Sequence, residues 1–249
     1  MMLAAAAGDA GVVAVGQEMA TEPGSAGFVP AVPAAWISTD GRTWDAAEFE
    51  LRRDVNVYEP VRTVSAGLAG FLAVGDATAQ SGEQGVAFYS SSDGATWERS
   101  DVERSVFRPG DQVVGVPGTE AGYYAYGTNV ERDDRGATRL WQSTGPREWT
   151  RVESDALTDG VIAQVLVLPD GERVAVGTGA WTGTEANTWS RADLPGLGDA
   201  RLKAATLVVL DGYTYVVAVG DDLPGPGTNS PAGDGFVWTY RGPPLDADD

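Results

Sequence analysis

The sequence predicts an all-β chain, a β-propeller of about five four-stranded blades whose last blade lacks its outer strand. Three observations predict it. A short apolar phrase ending in glycine recurs as VVAVG to Gly16, FLAVG to Gly75, YYAYG to Gly127, RVAVG to Gly177 and VVAVG to Gly220, at intervals of 59, 52, 50 and 43 residues. Behind each of the first four phrases come two aromatics eight residues apart: Trp36 and Trp44, Tyr89 and Trp97, Trp141 and Trp149, Trp181 and Trp189. The composition is rich in turn formers, with 33 Gly and 14 Pro in 249 residues, and contains few helical periods. Fixed repeats of about 40 to 50 residues, each holding four short strands, are the signature of propeller blades.

Each element follows from the residues. A run of small and β-branched residues precedes each glycine phrase, at Leu3 to Ala7, Val64 to Ala66, Val113 to Val116, Val161 to Val167 and Ala204 to Val209. These are the innermost strands, where crowding around an axis demands small side chains. Tight turns such as GDAG, GLAG and LDG lead into the glycine phrase, the second strand. A variable loop, an aromatic strand, a turn and a Thr-Trp strand complete the unit. The outer strands have wide gaps to fill, so Trp44, Trp97, Trp149 and Trp189 are expected to be structural wedges, each contributing on the order of 1.5 to 3 kcal/mol by burial. The fifth copy keeps Trp238 but has no Thr-Trp strand. One propeller domain over 1–249 is expected, with blades near 1–48, 60–101, 112–153, 160–193 and 202–241 and an acidic tail at 242–249.

Between the paired aromatics of the first two copies stand STDGRTW (Ser38, Asp40, Gly41, Trp44) and SSDGATW (Ser91, Asp93, Gly94, Trp97). Asp-Gly is a strong hairpin signal, because Gly tolerates positive φ and Asp bonds the turn's own backbone. The third copy, STGPREW, has lost the aspartate, and the fourth, GTEANTW, places Glu185 there. The two intact phrases resemble the Asp-boxes, or BNR repeats, of sialidase-like propellers, one residue short of the fullest form. In such families the box is a folding device on the outer turn. The resemblance also implies an exported setting, extracellular or in the cell envelope, although the start of the chain has no basic region before its apolar run and carries an acidic residue at Asp9.

Composition excludes whole classes of chemistry. There is no His and no Cys, so a Ser-His-Asp or Cys-His relay, a disulfide framework and an ordinary zinc site are all ruled out. Oxygen chemistry remains. A charge of −19 repels phosphate backbones, which excludes nucleic acid as a natural partner, and no stretch reaches the roughly 20 apolar residues of a membrane span. Sixteen of the 17 basic residues are arginine, Lys203 being the exception. By the area-scaling rule a chain of this mass buries roughly 70% of its unfolded surface, enough for a core without staples.

In an antiparallel meander the tight turns share one end, with the Asp-boxes, and the long connections share the other. The long connections are 17–35, 76–86, 128–138 and 221–235 within repeats, and 45–60, 98–111, 150–159 and 190–202 between them. Any ligand is expected at that loop end, since sites favour variable loops on rigid scaffolds. Resemblance to sialidases would require three arginines converging on a substrate carboxylate, a Tyr-Glu pair and an aspartate acid/base. Arg62, Arg108 and Arg201 are the ligand-binding candidates. Arg108 lies in FRPG, which echoes the F/Y-R-I-P phrase of that family without its isoleucine. No tyrosine is assignable as nucleophile; Tyr123 and Tyr124 sit in a second strand. The acidic groups Asp133 with Asp134, and Asp221, Asp222 with Asp234, lack the alternating spacing of a calcium loop, and neither metal nor cofactor is expected.

The reading taken is a non-catalytic propeller module in a closed five-bladed ring, whose loop end binds a protein or carbohydrate ligand. The alternatives are a sialidase-like exo-glycoside hydrolase and a propeller fragment of a larger exported protein.

Overall fold

The computed structural model describes all residues except 20–30, 51–59, 79–83, 101, 104, 131–137, 158–159, 185–187, 193–200, 222–234 and 245–249. The regular elements of the described chain are all strands, apart from one 3-10 turn at Asp155–Leu157, and the chain divides into two compact units, Met1–Arg151 and Val152–Asp249.

The first unit holds three sheets, antiparallel but for one short strand. Sheet one runs β1 (Met2–Gly8), β2 (Gly11–Met19), β3 (Ala31–Ser38), β4 (Asp45–Ala46). Sheet two is the meander β6 (Val61–Gly67), β7 (Gly70–Thr78), β8 (Gln84–Ser91), β9 (Thr96–Ser100), with β5 (Glu48–Phe49) added in parallel beside β9. Sheet three is β10 (Asp111–Gly115), β12 (Gly122–Asn129), β13 (Thr138–Ser143), β14 (Trp149–Val152), with the short β11 (Gly118–Thr119) also pairing β12. The inner strands lie beside one another, β1 against β6 and β6 against β10 and β11.

Both faces of sheet two are buried, which is why its glycine phrase reads as a continuous apolar run rather than an alternating one. In FLAVG, Phe71 and Ala73 join a layer with Val13, Val15 and Ala35 of sheet one. Their neighbours Leu72 and Val74 point the other way, into a layer with Tyr123, Ala125 and Trp141 of sheet three. Successive side chains of a strand serve opposite layers, so one strand helps build two cores.

The second unit holds β15 (Ile162–Val167), β16 (Arg173–Gly177), β17 (Ala180–Gly183) and β18 (Trp189–Arg191) as sheet four, and β19 (Arg201–Leu210), β20 (Tyr213–Asp221) and β21 (Gly235–Pro244) as the three-stranded sheet five. Leu168, Val174, Val176, Leu202, Val216 and Ala218 form the layer between them.

The repeated glycine has a specific cause. In every sheet the inner strand carries a β-bulge opposite it: the bulged residues are Leu3, Arg62, Val114, Ala163 and Lys203. The bulge drives the inner strand's backbone onto the glycine. A Cβ at Gly16, Gly75, Gly127 or Gly177 would lie 1.9, 2.0, 1.8 or 1.8 Å from a carbonyl oxygen, of Met1, Pro60, Gln112 and Val161 respectively.

The outer tryptophans divide. Trp97, Trp149 and Trp189 are buried, whereas Trp44 is only half-buried and lies outside any strand. The first repeat supplies its wedge with a different ring. Phe49 on β5 stacks on Trp97 at 5.6 Å and meets Tyr89 edge-on at 5.2 Å. Phe107 does the same in sheet three, 4.8 Å from Trp141 and edge-on to Trp149 at 5.8 Å. Such ring pairs add about 0.5 to 1.5 kcal/mol beyond their burial. The connections expected to be free loops are therefore partly docked. The Trp141 indole donates to the Val106 carbonyl at 3.1 Å, and Trp181 donates to the Ala156 carbonyl at 2.8 Å.

Candidate functional site

The turn end of the strands is built for rigidity. In sheet one Asp40 Oδ1 accepts from the backbone N–H groups of Arg42 and Thr43, both at 2.7 Å, and from Ser38 Oγ at 3.1 Å. Those backbone donors, Thr43 first, hold the Asp40 carboxyl at about 2. Sheet two repeats the arrangement. Asp93 accepts from the N–H groups of Ala95 and Thr96, both at 2.9 Å, and is likewise held below its ordinary value. Gly41 and Gly94 take φ of 69° and 74°, which Asp-Gly sequences reach without strain. The Trp97 indole donates to the Gly94 carbonyl, tying wedge to turn. The corresponding turn of sheet three has no aspartate, and there the Trp149 indole donates to the Pro146 carbonyl at 3.2 Å.

The loop end carries charge. Arg62, lifted out by its bulge, is exposed and ion-pairs with Asp76, the residue after Gly75. Asp76 keeps 21% of its side chain open to solvent. Sheet five repeats the device: the bulged Lys203 pairs with Asp221, the residue after Gly220. Bulges re-aim side chains at sheet rims, and here the same register position presents a cation beside an aspartate in both units.

Sheet three has a closed polar cluster at its loop end. Asp111 is buried and accepts from the Arg108 backbone N–H at 2.8 Å and from Asn129 Nδ2 at 2.7 Å, with Arg139 Nε 3.9 Å away. Asn129 also donates to the Pro109 carbonyl. With its carboxylate so engaged, Asp111 fixes the FRPG segment rather than offering an open group.

The three arginine candidates thus have separate surroundings. Arg62 faces Asp76, Arg108 contributes its backbone to the Asp111 cluster while its side chain is exposed, and Arg201 opens β19 in the second unit, exposed and in register with Asp221. Among the described residues no hydrogen bond or ion pair links Arg62 to Arg108. Asp76, Asp111, Asn129 and Arg139 were missed in sequence. The available signal was an acidic residue directly after the repeated glycine, or opening an inner strand. Of the acidic groups, Asp133, Asp134, Asp222 and Asp234 lie outside the described residues, as does Glu185. Among the described residues no set of three or more acidic groups is placed to hold a metal, and no helix is long and apolar enough to cross a membrane.

Two further titratable groups lie in the second unit. Burial raises Glu172, helped by the charge of Asp170, and burial followed by those two charges raises Tyr240.

No protein-family model matches the sequence, and a comparison with curated proteins finds no match. Solved structures do match. The chain is similar to the GH93 α-L-arabinofuranosidase of Fusarium graminearum with arabinobiose, at 13% identity over 91% of this chain and 71% of that chain, TM-score 0.53. It is similar to an α-L-arabinanase of Penicillium chrysogenum complexed with arabinobiose, at 14% identity over 92% and 71%, TM-score 0.53. A polysaccharide lyase, Uly1, matches at 10% identity over 99% of this chain and 58% of that chain, TM-score 0.52. At such identities the likeness is one of fold, and the fold of this chain is an all-β propeller fold shared with glycan-active enzymes.

Proposed function

We propose that this protein acts on glycans, as a glycoside hydrolase whose saccharide lies at the loop end of the inner strands. The observation that carries the reading is the match over most of the chain to propeller enzymes whose solved complexes hold arabinobiose. It favours the hydrolase alternative over the non-catalytic scaffold expected from sequence. Asp76 is the carboxylate assigned to the sugar: it is partly open, beside a cation, on the strand end that leads into the long connections. A carboxylate of this kind serves as nucleophile, base or acceptor for sugar hydroxyls.

A carboxylate-bearing sugar would have to displace Asp76 from Arg62, so a neutral pentose or hexose suits the pair better than a sialoside. A second reading, a saccharide-binding module without turnover, is supported by Asp111, whose carboxylate is wholly engaged. The test is release of sugar from arabinobiose, aryl arabinofuranosides and aryl sialosides. Turnover of a neutral glycoside, reduced at least about 100-fold in Asp76→Asn, is the expected result. Unchanged turnover in that variant overturns the assignment of Asp76. Binding without turnover in the wild type establishes the second reading.

A further inference from the structure

The third repeat departs from its siblings at four places, and the departures meet in one groove. Its second strand carries Tyr124 where the other repeats that have an outer strand carry Val13, Leu72 and Val174, each fully buried. Tyr124 is half-buried instead. Its cross-strand partner is Gln142, where the siblings have Ile37, Ser90 and Thr182. Glu148 replaces the threonine that precedes the outer tryptophan in the others, Thr43, Thr96 and Thr188. The Asp-Gly turn of the first two repeats is replaced by Thr144-Gly145-Pro146. Without an aspartate to fold the turn inward, Ser143 takes over, its Oγ donating to the Glu148 carbonyl at 2.8 Å and accepting from the Gly145 N–H at 3.1 Å.

The result is an open groove of about 410 Å³ in the first unit, lined by Tyr124, Gln142, Thr144, Glu148 and Thr150 among others. This is the size of a small-ligand cleft. Its chemistry is two tyrosines, the buried Tyr123 and the half-buried Tyr124, with an amide, a carboxylate and hydroxyls, and none of its lining residues is basic. Thr144 Oγ1 lies 3.5 Å from Glu148 Oε2. An aromatic ring binds C–H-rich faces, while amide and carboxylate groups take up vicinal hydroxyls. With an acidic wall and no cation, the groove disfavours anionic sugars.

We propose that this groove, at the turn end of sheet three, is a second saccharide site for a neutral disaccharide unit. It is separate from the loop-end site and does not depend on that assignment. The test restores the sibling residues, which the repeat already tolerates: Tyr124→Leu, and independently Glu148→Thr. Calorimetric titration is carried out with arabinobiose, xylobiose and maltose, and with N-acetylneuraminate as an anionic control, on the full chain and on Asp76→Asn. The expected result is binding of at least one neutral disaccharide that Asp76→Asn retains and that each sibling-restoring variant weakens by about tenfold or more, with no binding of N-acetylneuraminate at this site. The proposal is overturned if both variants, folded by their unfolding transitions, bind as the wild type does, if binding disappears only in Asp76→Asn, or if none of the neutral disaccharides binds. Loss of turnover in Asp76→Asn with groove binding intact separates the two sites; turnover retained in Asp76→Asn with groove binding intact leaves the groove and removes the loop-end assignment.

Discussion

Sheets two and three are neighbours with the same strand order, yet their turn ends differ in kind. In sheet two the Ser91-Asp93-Gly94 turn is stitched to its own backbone and to Trp97. In sheet three the same turn has lost its carboxylate, holds together through Ser143, and stands beside an open groove. The outer tryptophan is buried in both, donating its N–H to the turn residue three positions back. The comparison teaches that the wedge and the turn are separable: the indole secures the sheet, and the aspartate secures the turn.

The largest effect should come from the wedge. Trp97→Ala empties a fully buried site against Phe49 and Phe71 and is expected to cost about 3 to 5 kcal/mol, read from denaturant unfolding. Trp149→Ala should cost nearly as much. Trp44→Ala, at a half-buried position, should cost clearly less, and an equal cost would break the distinction between Trp44 and Phe49 as wedges. Next comes the bulge contact. Gly75→Ala drives a methyl into the Pro60 carbonyl and should destabilise by about 1 to 3 kcal/mol, whereas Gly85→Ala, which meets open space, should be nearly neutral.

The aspartate effect is smaller and depends on pH. Both Asp40 and Asp93 are depressed in the folded state relative to the unfolded value near 3.9. A depressed carboxyl contributes stability that is fully present above the unfolded pKa and is lost as pH falls through the folded one. Unfolding midpoints should therefore fall between about pH 4 and pH 2, the lower bound being set by Asp40. The double variant Asp40→Asn with Asp93→Asn should be less stable at neutral pH and flatter over that window. Substitutions in the third turn, which has no aspartate, should leave the slope unchanged. The smallest stability effect belongs to Arg62→Met, which removes an exposed ion pair and should shift stability by less than about 1 kcal/mol.

The five-fold repeat was legible because each unit needs the same small phrase against the same bulge, and a clash of about 2 Å leaves glycine as the residue that fits. The Ser-Asp-Gly turns were legible because their bonds are local in sequence. Phe49 and Phe107 were not, because each acts on a sheet other than the one whose repeat precedes it, and nothing in local spacing marks a ring that travels. The loop end was the least legible part. Asp111, Asn129 and Arg139 stand 18 and 10 residues apart and meet only through strand pairing. The groove of sheet three was visible as a degenerate turn, but Tyr124 was legible only as a second-strand residue.

The central claim is a division of labour: turn-end aspartates hold the fold, and the loop-end aspartate serves the ligand. The direct measurement is a paired comparison of Asp93→Asn and Asp76→Asn for acid unfolding and for turnover of a neutral glycoside. The account predicts altered acid stability with preserved turnover in the first, and lost turnover with preserved stability in the second. Turnover lost in Asp93→Asn, or kept in Asp76→Asn, contradicts it.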